Sequence, residues 1–171
     1  MVEGHTRKSH EHRQDLAGEY KWGDTGQILF LLIFIIGTIA DFFIFNISKS
    51  YQHIIPLYYR LAIFIPLIIT AVYTIQKSHQ QIFREQRKKL MVITTGIYGK
   101  IRHPMYTGSL IIYLAFVILT LSPIALIIFI LASIFFYYLC QYEEQILIEK
   151  LGDEYKHYMK TVPMIIPRIR K

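Results

Sequence analysis

Residues 96–108, GIYGKIRHPMYTG, form a polar stretch between a basic segment and an apolar one. Residues 106–121 are almost entirely apolar, so Arg102 and His103 lie where the chain enters an apolar helix. Pro104 has the position in the first helical turn that proline prefers. The free N–H groups of that turn, the helix dipole and the two basic side chains all favour an anion. This stretch is therefore predicted to form one half of a ligand site.

The composition predicts an all-α integral membrane protein. Of the 171 residues, 53% are hydrophobic and 18% are charged, and the mean hydropathy of +0.34 exceeds what a soluble domain needs for its core. The net charge of +7 is compatible with binding to nucleic acid. Because the basic residues adjoin apolar spans, however, we expect them to contact anionic lipid headgroups, and we expect no nucleic-acid partner. A single cysteine, Cys140, excludes an internal disulfide and a thiolate zinc site, and no metal is expected.

Taken in order, the chain divides into three regions. Residues 1–24 are predicted to be a polar cytoplasmic arm, in which a solvated state is favoured over metal binding by His5, His10 and His12. Residues 25–75 are predicted to hold two transmembrane helices, the first of which, at about 1.5 Å per residue, can cross a hydrocarbon core of about 30 Å. Residues 76–171 are predicted to hold a cytoplasmic loop, two further transmembrane helices and an amphipathic tail, which makes about four spans.

Three residues interrupt the first two spans. Asp41 lies toward the far end of span one, and we expect it to be solvated or paired with another helix. Arg60 lies near the start of span two and is expected to extend outward along its aliphatic stem. Pro66 is expected to kink that helix.

The last two spans are predicted to form a tight hairpin that turns at Ser122 and Pro123. Because residues equidistant from such a turn lie at the same height, position 103 mirrors position 141. Two polar clusters about forty residues apart therefore converge, and they comprise Arg102, His103 and Tyr106 on one helix and Glu143 and Glu144 on the other. Adjacent helical residues project about 100° apart, so only one glutamate is expected to point fully into the site. Gly152 is the predicted end of the second helix.

The distribution of lysine and arginine predicts the orientation. Basic residues are concentrated in the arm, in residues 77–102 and in the tail, whereas the other two connections hold only Lys49. By the positive-inside rule both termini and the loop at residues 96–106 face the cytoplasm. The site would then open toward cytoplasmic metabolites and also border the bilayer, where a lipid-borne partner can approach.

The stretch GIYGKIRHPMYTG, followed about forty residues later by YEEQILIEKLGDEYKHYMKTVPMIIP, resembles the isoprenylcysteine carboxyl methyltransferase and phospholipid methyltransferase group of integral membrane enzymes. The resemblance covers residues 95–167. It implies transfer of a methyl group from S-adenosylmethionine to a membrane-borne acceptor, either a prenylcysteine-type carboxylate or a phospholipid amine. The chain lacks the Leu-Gly and Trp-Ser element common upstream in relatives.

The resemblance also implies roles for individual residues. Arg102 and Glu144 are the predicted catalytic residues: Arg102 would orient the acceptor, and Glu144 or His103 would be the base if the acceptor is an amine. The residues implied on the cofactor side are Gly96, Tyr98, His103, Pro104, Tyr106, Glu143 and Glu144.

Two alternatives stay open. One is a membrane sterol-type reductase that uses a reduced nicotinamide dinucleotide, because such enzymes carry a related Arg-His-x-Asn-Tyr run in which Met105 here replaces the asparagine. The other is a non-catalytic basic membrane protein in which Arg102 and Glu143 form a structural ion pair.

In the tail, Tyr155 and Tyr158 are expected to belong to an aromatic belt, although Glu154 and Tyr155 are also candidates for a lid.

Overall fold

The computed structural model describes residues 23–84 and 91–167. Nearly all of the predicted arm, with its three histidines, lies outside these residues, as do positions 85–90 of the basic segment and the last four residues. The described residues form six α-helices: α1 (Gly23–Ala40), α2 (Lys49–Gln52), α3 (Leu57–His79), α4 (Pro104–Thr120), α5 (Pro123–Leu151) and α6 (Asp153–Thr161). Short π-helical segments extend α1 through Asp41–Phe45 and α3 through Gln80–Arg84.

Within residues 23–84 and 91–167, three helical stretches are long and apolar enough to cross a membrane, namely Thr25–Phe45, Leu57–Ile82 and Pro123–Leu151. They correspond to the first, second and fourth predicted spans. The predicted third span is the apolar helix α4, whose 17 residues extend about 25 Å at 1.5 Å per residue. A chain with three or more such helices is typical of an integral membrane protein.

Helix α4 lies in the middle of the packing, against α3 on one side and α5 on the other, while α1 packs on α5. Gly108 allows the close approach to α3, because a Cβ at this position would lie 3.1 Å from the carbonyl oxygen of Ala71. On the other side, Phe34 of α1 meets Tyr113 edge to face at 4.7 Å. The result is a central hairpin held at a fixed height relative to α3.

The hairpin turn follows from local turn chemistry, as predicted. Leu121 ends α4 in the left-handed region with φ of 53°, and Ser122 caps α5 by accepting a hydrogen bond from the N–H of Ala125 at 3.1 Å. Pro123 occupies the first helical turn of α5. Gly152, with φ of 60°, ends α5, so the predicted turn and stop are both confirmed.

The expectations for Asp41 and Arg60 were wrong. Asp41 is fully buried, and its Oδ1 accepts the N–H groups of Ile47 and Ser48 at 3.1 and 3.2 Å, so the carboxylate caps the turn that follows it. Arg60 is also buried, and its Nη1 donates to the carbonyl oxygen of Leu119 at 2.5 Å. The last carbonyls of a helix lack intrahelical partners, and those of α4 provide a nearer acceptor than solvent does.

Candidate functional site at the open end of the helical hairpin

The loop before α4 is held in place by α3 and by the tail. Gln81 binds it from α3, since its Oε1 accepts the N–H of Ile97 at 3.1 Å and its Nε2 donates to the carbonyl of Thr95 at 3.2 Å. Gly96 has φ of 59° and lies against the Gln81 side chain, so a side chain at position 96 would be both strained and obstructed. These contacts fix the approach to α4.

Tyr98 secures the same loop on its other side. Its hydroxyl is 2.6 Å from Ser78 Oγ on α3, and its carbonyl oxygen accepts a hydrogen bond from the Tyr158 hydroxyl of α6 at 2.6 Å. Gly96 and Tyr98, both predicted on the cofactor side, therefore lie in the supporting loop, with contacts toward α3 and α6. Neither Ser78 nor Gln81 was predicted, because nothing in the sequence aligns the end of α3 with this loop.

The side chain of Arg102 is 8% exposed and binds two parts of the chain at once. Its Nε and Nη2 donate to the two carboxylate oxygens of Glu144 at 2.6 and 3.2 Å. Its Nη1 donates to the carbonyl oxygens of Met159 and Val162 at 2.8 and 2.7 Å. The ion-pair partner of Arg102 is therefore Glu144, whereas the non-catalytic alternative assumed Glu143. Bidentate charge-assisted bonds of this kind are among the stronger hydrogen bonds in proteins.

His103 and Tyr106 connect both glutamates to α4. His103 Nε2 lies 3.1 Å from Glu144 Oε1, and its Nδ1 lies 3.6 Å from Glu143 Oε2. The Tyr106 hydroxyl donates to Glu143 Oε1. Both glutamates are buried and both point into the cluster, so the expectation that only one does was wrong. Adjacent residues on a helix project about 100° apart, but both glutamates find a partner because Arg102, His103 and Tyr106 are distributed around the start of α4.

A stack of rings lies behind these polar contacts. His103 and Tyr106 are nearly parallel, with centroids 5.8 Å apart and 13° between planes. Tyr106 in turn stacks on Phe136 of α5 at 5.5 Å. Phe136 is fully buried and was not predicted, although its position seven residues before Glu143 places both on one face of α5. The stack fixes the ring planes of both polar residues.

The expectation for the tail tyrosines was wrong. Tyr155 and Tyr158 are buried in a small cluster with Val92 and Val162. They are therefore away from the protein surface, where the residues of an aromatic belt would lie. Burial raises the pKa of both phenols above the usual value of 10. The phenol of Tyr158 is therefore a hydrogen-bond donor throughout the neutral range.

The chain is similar to known proteins over the region that holds this cluster. A family model described as phospholipid methyltransferase matches residues 51–154. The chain belongs to the phospholipid methyltransferase family. The match includes α3, the loop, α4 and α5, and hence every residue that was predicted to line the site. No solved structure matches the chain.

Several curated relatives of this methyltransferase family member resemble part of it. Protein-S-isoprenylcysteine O-methyltransferase of Dictyostelium discoideum is 37% identical over 86 residues, which are 50% of this chain and 36% of the relative. Protein-S-isoprenylcysteine O-methyltransferase B of Arabidopsis thaliana is 33% identical over 102 residues, 57% of this chain and 51% of the relative. Methanethiol S-methyltransferase of Pseudomonas deceptionensis is 33% identical over 78 residues, 46% of this chain and 29% of the relative. The chain thus matches about half or less of the length of these relatives.

Proposed function

We propose that this protein transfers a methyl group from S-adenosylmethionine to a lipid-like acceptor carried in the membrane. The observation that carries the proposal is the cluster of Arg102, His103, Tyr106, Glu143 and Glu144, which joins the open ends of α4 and α5 in a member of a methyltransferase family. The names of the relatives support methyl transfer over the reductase alternative. The acceptor would be a prenylcysteine-type carboxylate or a phospholipid amine.

The donor and acceptor groups of the cluster fit this cofactor. An ionised carboxylate accepts up to about four hydrogen bonds, and the cofactor has ammonium, hydroxyl and amino donors. Its own carboxylate suits an imidazole, a guanidinium or the N-terminus of a helix, and α4 begins at Pro104 within the cluster. The residues that would hold it are His103, Pro104, Tyr106, Glu143 and Glu144, and Gly96 and Tyr98 belong to the loop that supports them. Bound there, the cofactor would supply an electrophilic methyl group on a sulfonium.

The role of the chain is then mainly to position the reactants and exclude water. Tyr106 holds the carboxylate of Glu143 and His103 holds that of Glu144, so both acceptors are oriented before a ligand arrives. An amine acceptor must lose a proton, for which Glu144 or His103 would be the base, whereas a carboxylate needs none. Arg102 is the residue assigned to an acceptor carboxylate, and that role requires its guanidinium to exchange a present partner for the acceptor.

We also propose that the cluster lies at the cytoplasmic end of about four spans, with both termini on that side. The support is the concentration of lysine and arginine on this side of the apolar helices. S-adenosylmethionine would then enter from the cytoplasm, while the acceptor would approach sideways from the bilayer.

Calorimetric titration of the purified protein in detergent with S-adenosylhomocysteine tests this function. We expect saturable binding that is lost in H103A, because this substitution removes a partner that the two glutamates share. H157A is the matched control, since His157 is exposed on α6, and it should bind as the unmodified protein does. A parallel titration with a reduced nicotinamide dinucleotide should give no heat. Binding of that dinucleotide in place of S-adenosylhomocysteine would contradict the proposal in favour of a reductase.

A further inference from the structure

We propose that Arg102 is a positioning residue that fastens the C-terminal segment over Glu144. The segment in question, called the tail strap here, comprises residues 159–165. The proposal rests on the proposed function, because it describes what closes the same site. It assigns Arg102 a task different from orienting an acceptor.

The first support is the number of contacts that the start of α4 makes to this segment. The guanidinium donates to the carbonyls of Met159 and Val162. The backbone N–H of Arg102 donates to the Pro163 carbonyl at 2.9 Å, and that of His103 donates to Met164 at 3.0 Å. Thr107 Oγ1 then donates to the carbonyl of Ile165 at 3.1 Å. Five carbonyls of the tail strap are thus bound by three residues.

The second support is that this arrangement uses the shape of a guanidinium. Two of its nitrogens face the Glu144 carboxylate, and the third reaches two carbonyls at the end of α6. The last carbonyls of a helix lack intrahelical partners, so Arg102 caps the end of α6 from the loop that precedes α4. A lysine has one nitrogen and no planar fork, and it therefore cannot make both sets of contacts.

The consequence is a coupling between the site and the tail. The same guanidinium binds Glu144 and the tail strap. A movement of the Glu144 carboxylate would therefore change the hydrogen bonds from Arg102 to the carbonyls of residues 159 and 162. The four described side-chain contacts of Arg102 are directed to the chain itself. Arg102 would therefore be required whatever the charge of the acceptor.

The test measures how often the tail strap opens. In a C140A background, the M164C variant is reacted with a maleimide, because Met164 is only partly buried and its carbonyl is bound by the backbone N–H of His103. We expect R102A and R102K to increase the labelling rate by about tenfold or more, since charge-assisted hydrogen bonds are lost in both. The I166C variant, whose position is 79% exposed, should react at the same rate in every background.

Matched controls separate this effect from a general loss of charge. K156A removes a lysine paired with Asp153 on the surface of α6 and should leave labelling at position 164 unchanged. If R102A does not fold, R102K measures the same quantity with the positive charge retained. If labelling at position 164 is still fast in R102K, the planar guanidinium itself is needed to hold the tail strap. If Arg102 instead contacted an anionic acceptor directly, the positive charge of lysine would partly restore that contact.

Two results would overturn the proposal. One is unchanged labelling at position 164 in both Arg102 variants. The other is slow labelling in R102K together with normal methyl transfer, which would make Arg102 a charge for the acceptor. Failure of the proposed function is a separate outcome. If the protein does not bind S-adenosylhomocysteine but the Arg102 variants are labelled faster, the methyltransferase function is wrong and the fastening role of Arg102 still holds.

Discussion

Buried or partly buried polar side chains lie at both ends of the α4–α5 hairpin, but they are bonded in different ways. At the end where the hairpin turns, Arg60 and Gln52 donate to the carbonyls of Leu119 and Thr120, and Asp41 accepts two backbone N–H groups. At the other end, about 25 Å away by the length of α4, Arg102 and His103 bond to the carboxylates of Glu143 and Glu144.

The difference separates structural charge from charge available for chemistry. Side chains at the turning end satisfy helix termini, whose free backbone groups are costly to leave unpaired in an apolar environment. Side chains at the open end are bonded mainly to other side chains across two helices, and such networks are where ligand sites are typically built. The two ends should therefore respond differently to substitution.

The largest effect is expected for E144Q at the open end. This change leaves Arg102 and His103 facing a neutral amide. Removing one member of a buried charged pair lowers the free energy of unfolding by about 3–5 kcal/mol. We expect the affinity for S-adenosylhomocysteine to fall roughly 100-fold in a calorimetric titration. E149Q, an exposed position on the same helix, is the control and should bind normally. Unchanged binding in E144Q would make the open end structural as well.

D41A tests the turning end and should affect stability alone. Removing the acceptor of two backbone N–H groups costs about 1–2 kcal/mol, as for other helix caps, which corresponds to an apparent melting temperature lower by about 2–8 °C. The affinity for S-adenosylhomocysteine should stay within about twofold. D153A removes an exposed carboxylate and should change neither quantity. Loss of binding in D41A without loss of stability would contradict the division between the two ends.

The smallest effect is expected for Y158F, which removes the bond to the Tyr98 carbonyl. A buried hydrogen bond of this kind contributes about 1 kcal/mol, so thermal unfolding at pH 7 should shift by about 2–4 °C. Because burial raises the pKa of Tyr158 above 10, the unfolded chain loses this proton first. The stabilising contribution is therefore constant below pH 10 and falls above it.

The pH dependence gives Y158F its own check. The difference in melting temperature between Y158F and the unmodified protein should be the same at pH 7 and pH 9 and should narrow above pH 10. Y138F is the control, since Tyr138 is exposed, and its melting temperature should match that of the unmodified protein at pH 7. A difference that widens above pH 10 would exclude a buried protonated phenol.

Local signals in the sequence account for the predictions that succeeded. The turn at Ser122 and Pro123 and the stop at Gly152 depend on residues that act within one helical turn. Counting outward from that turn then placed position 103 opposite position 141, within one helical turn of Glu144, and the ring nitrogen of His103 and the carboxylate oxygen of Glu144 lie 3.1 Å apart. The roles of these residues in binding and catalysis remain predictions.

The predictions that failed concern contacts between elements. The partner of Arg60 is a carbonyl of α4, Tyr158 is buried under the loop, and Glu143 reaches Tyr106 because α4 presents its first turn at the right rotation. Helical period constrains which residues share a face, but it does not say how far a helix is rotated against its neighbour.

The sequence by itself therefore determined the helical class, the hairpin and the height at which two polar clusters meet, because length, hydropathy and turn residues act locally. Only the tertiary structure decided which atoms pair. It joined Arg102 to Glu144 and to the carbonyls of residues 159 and 162, since that choice depends on the rotation and separation of α4, α5 and α6. The fastening of the tail over the site follows from this packing.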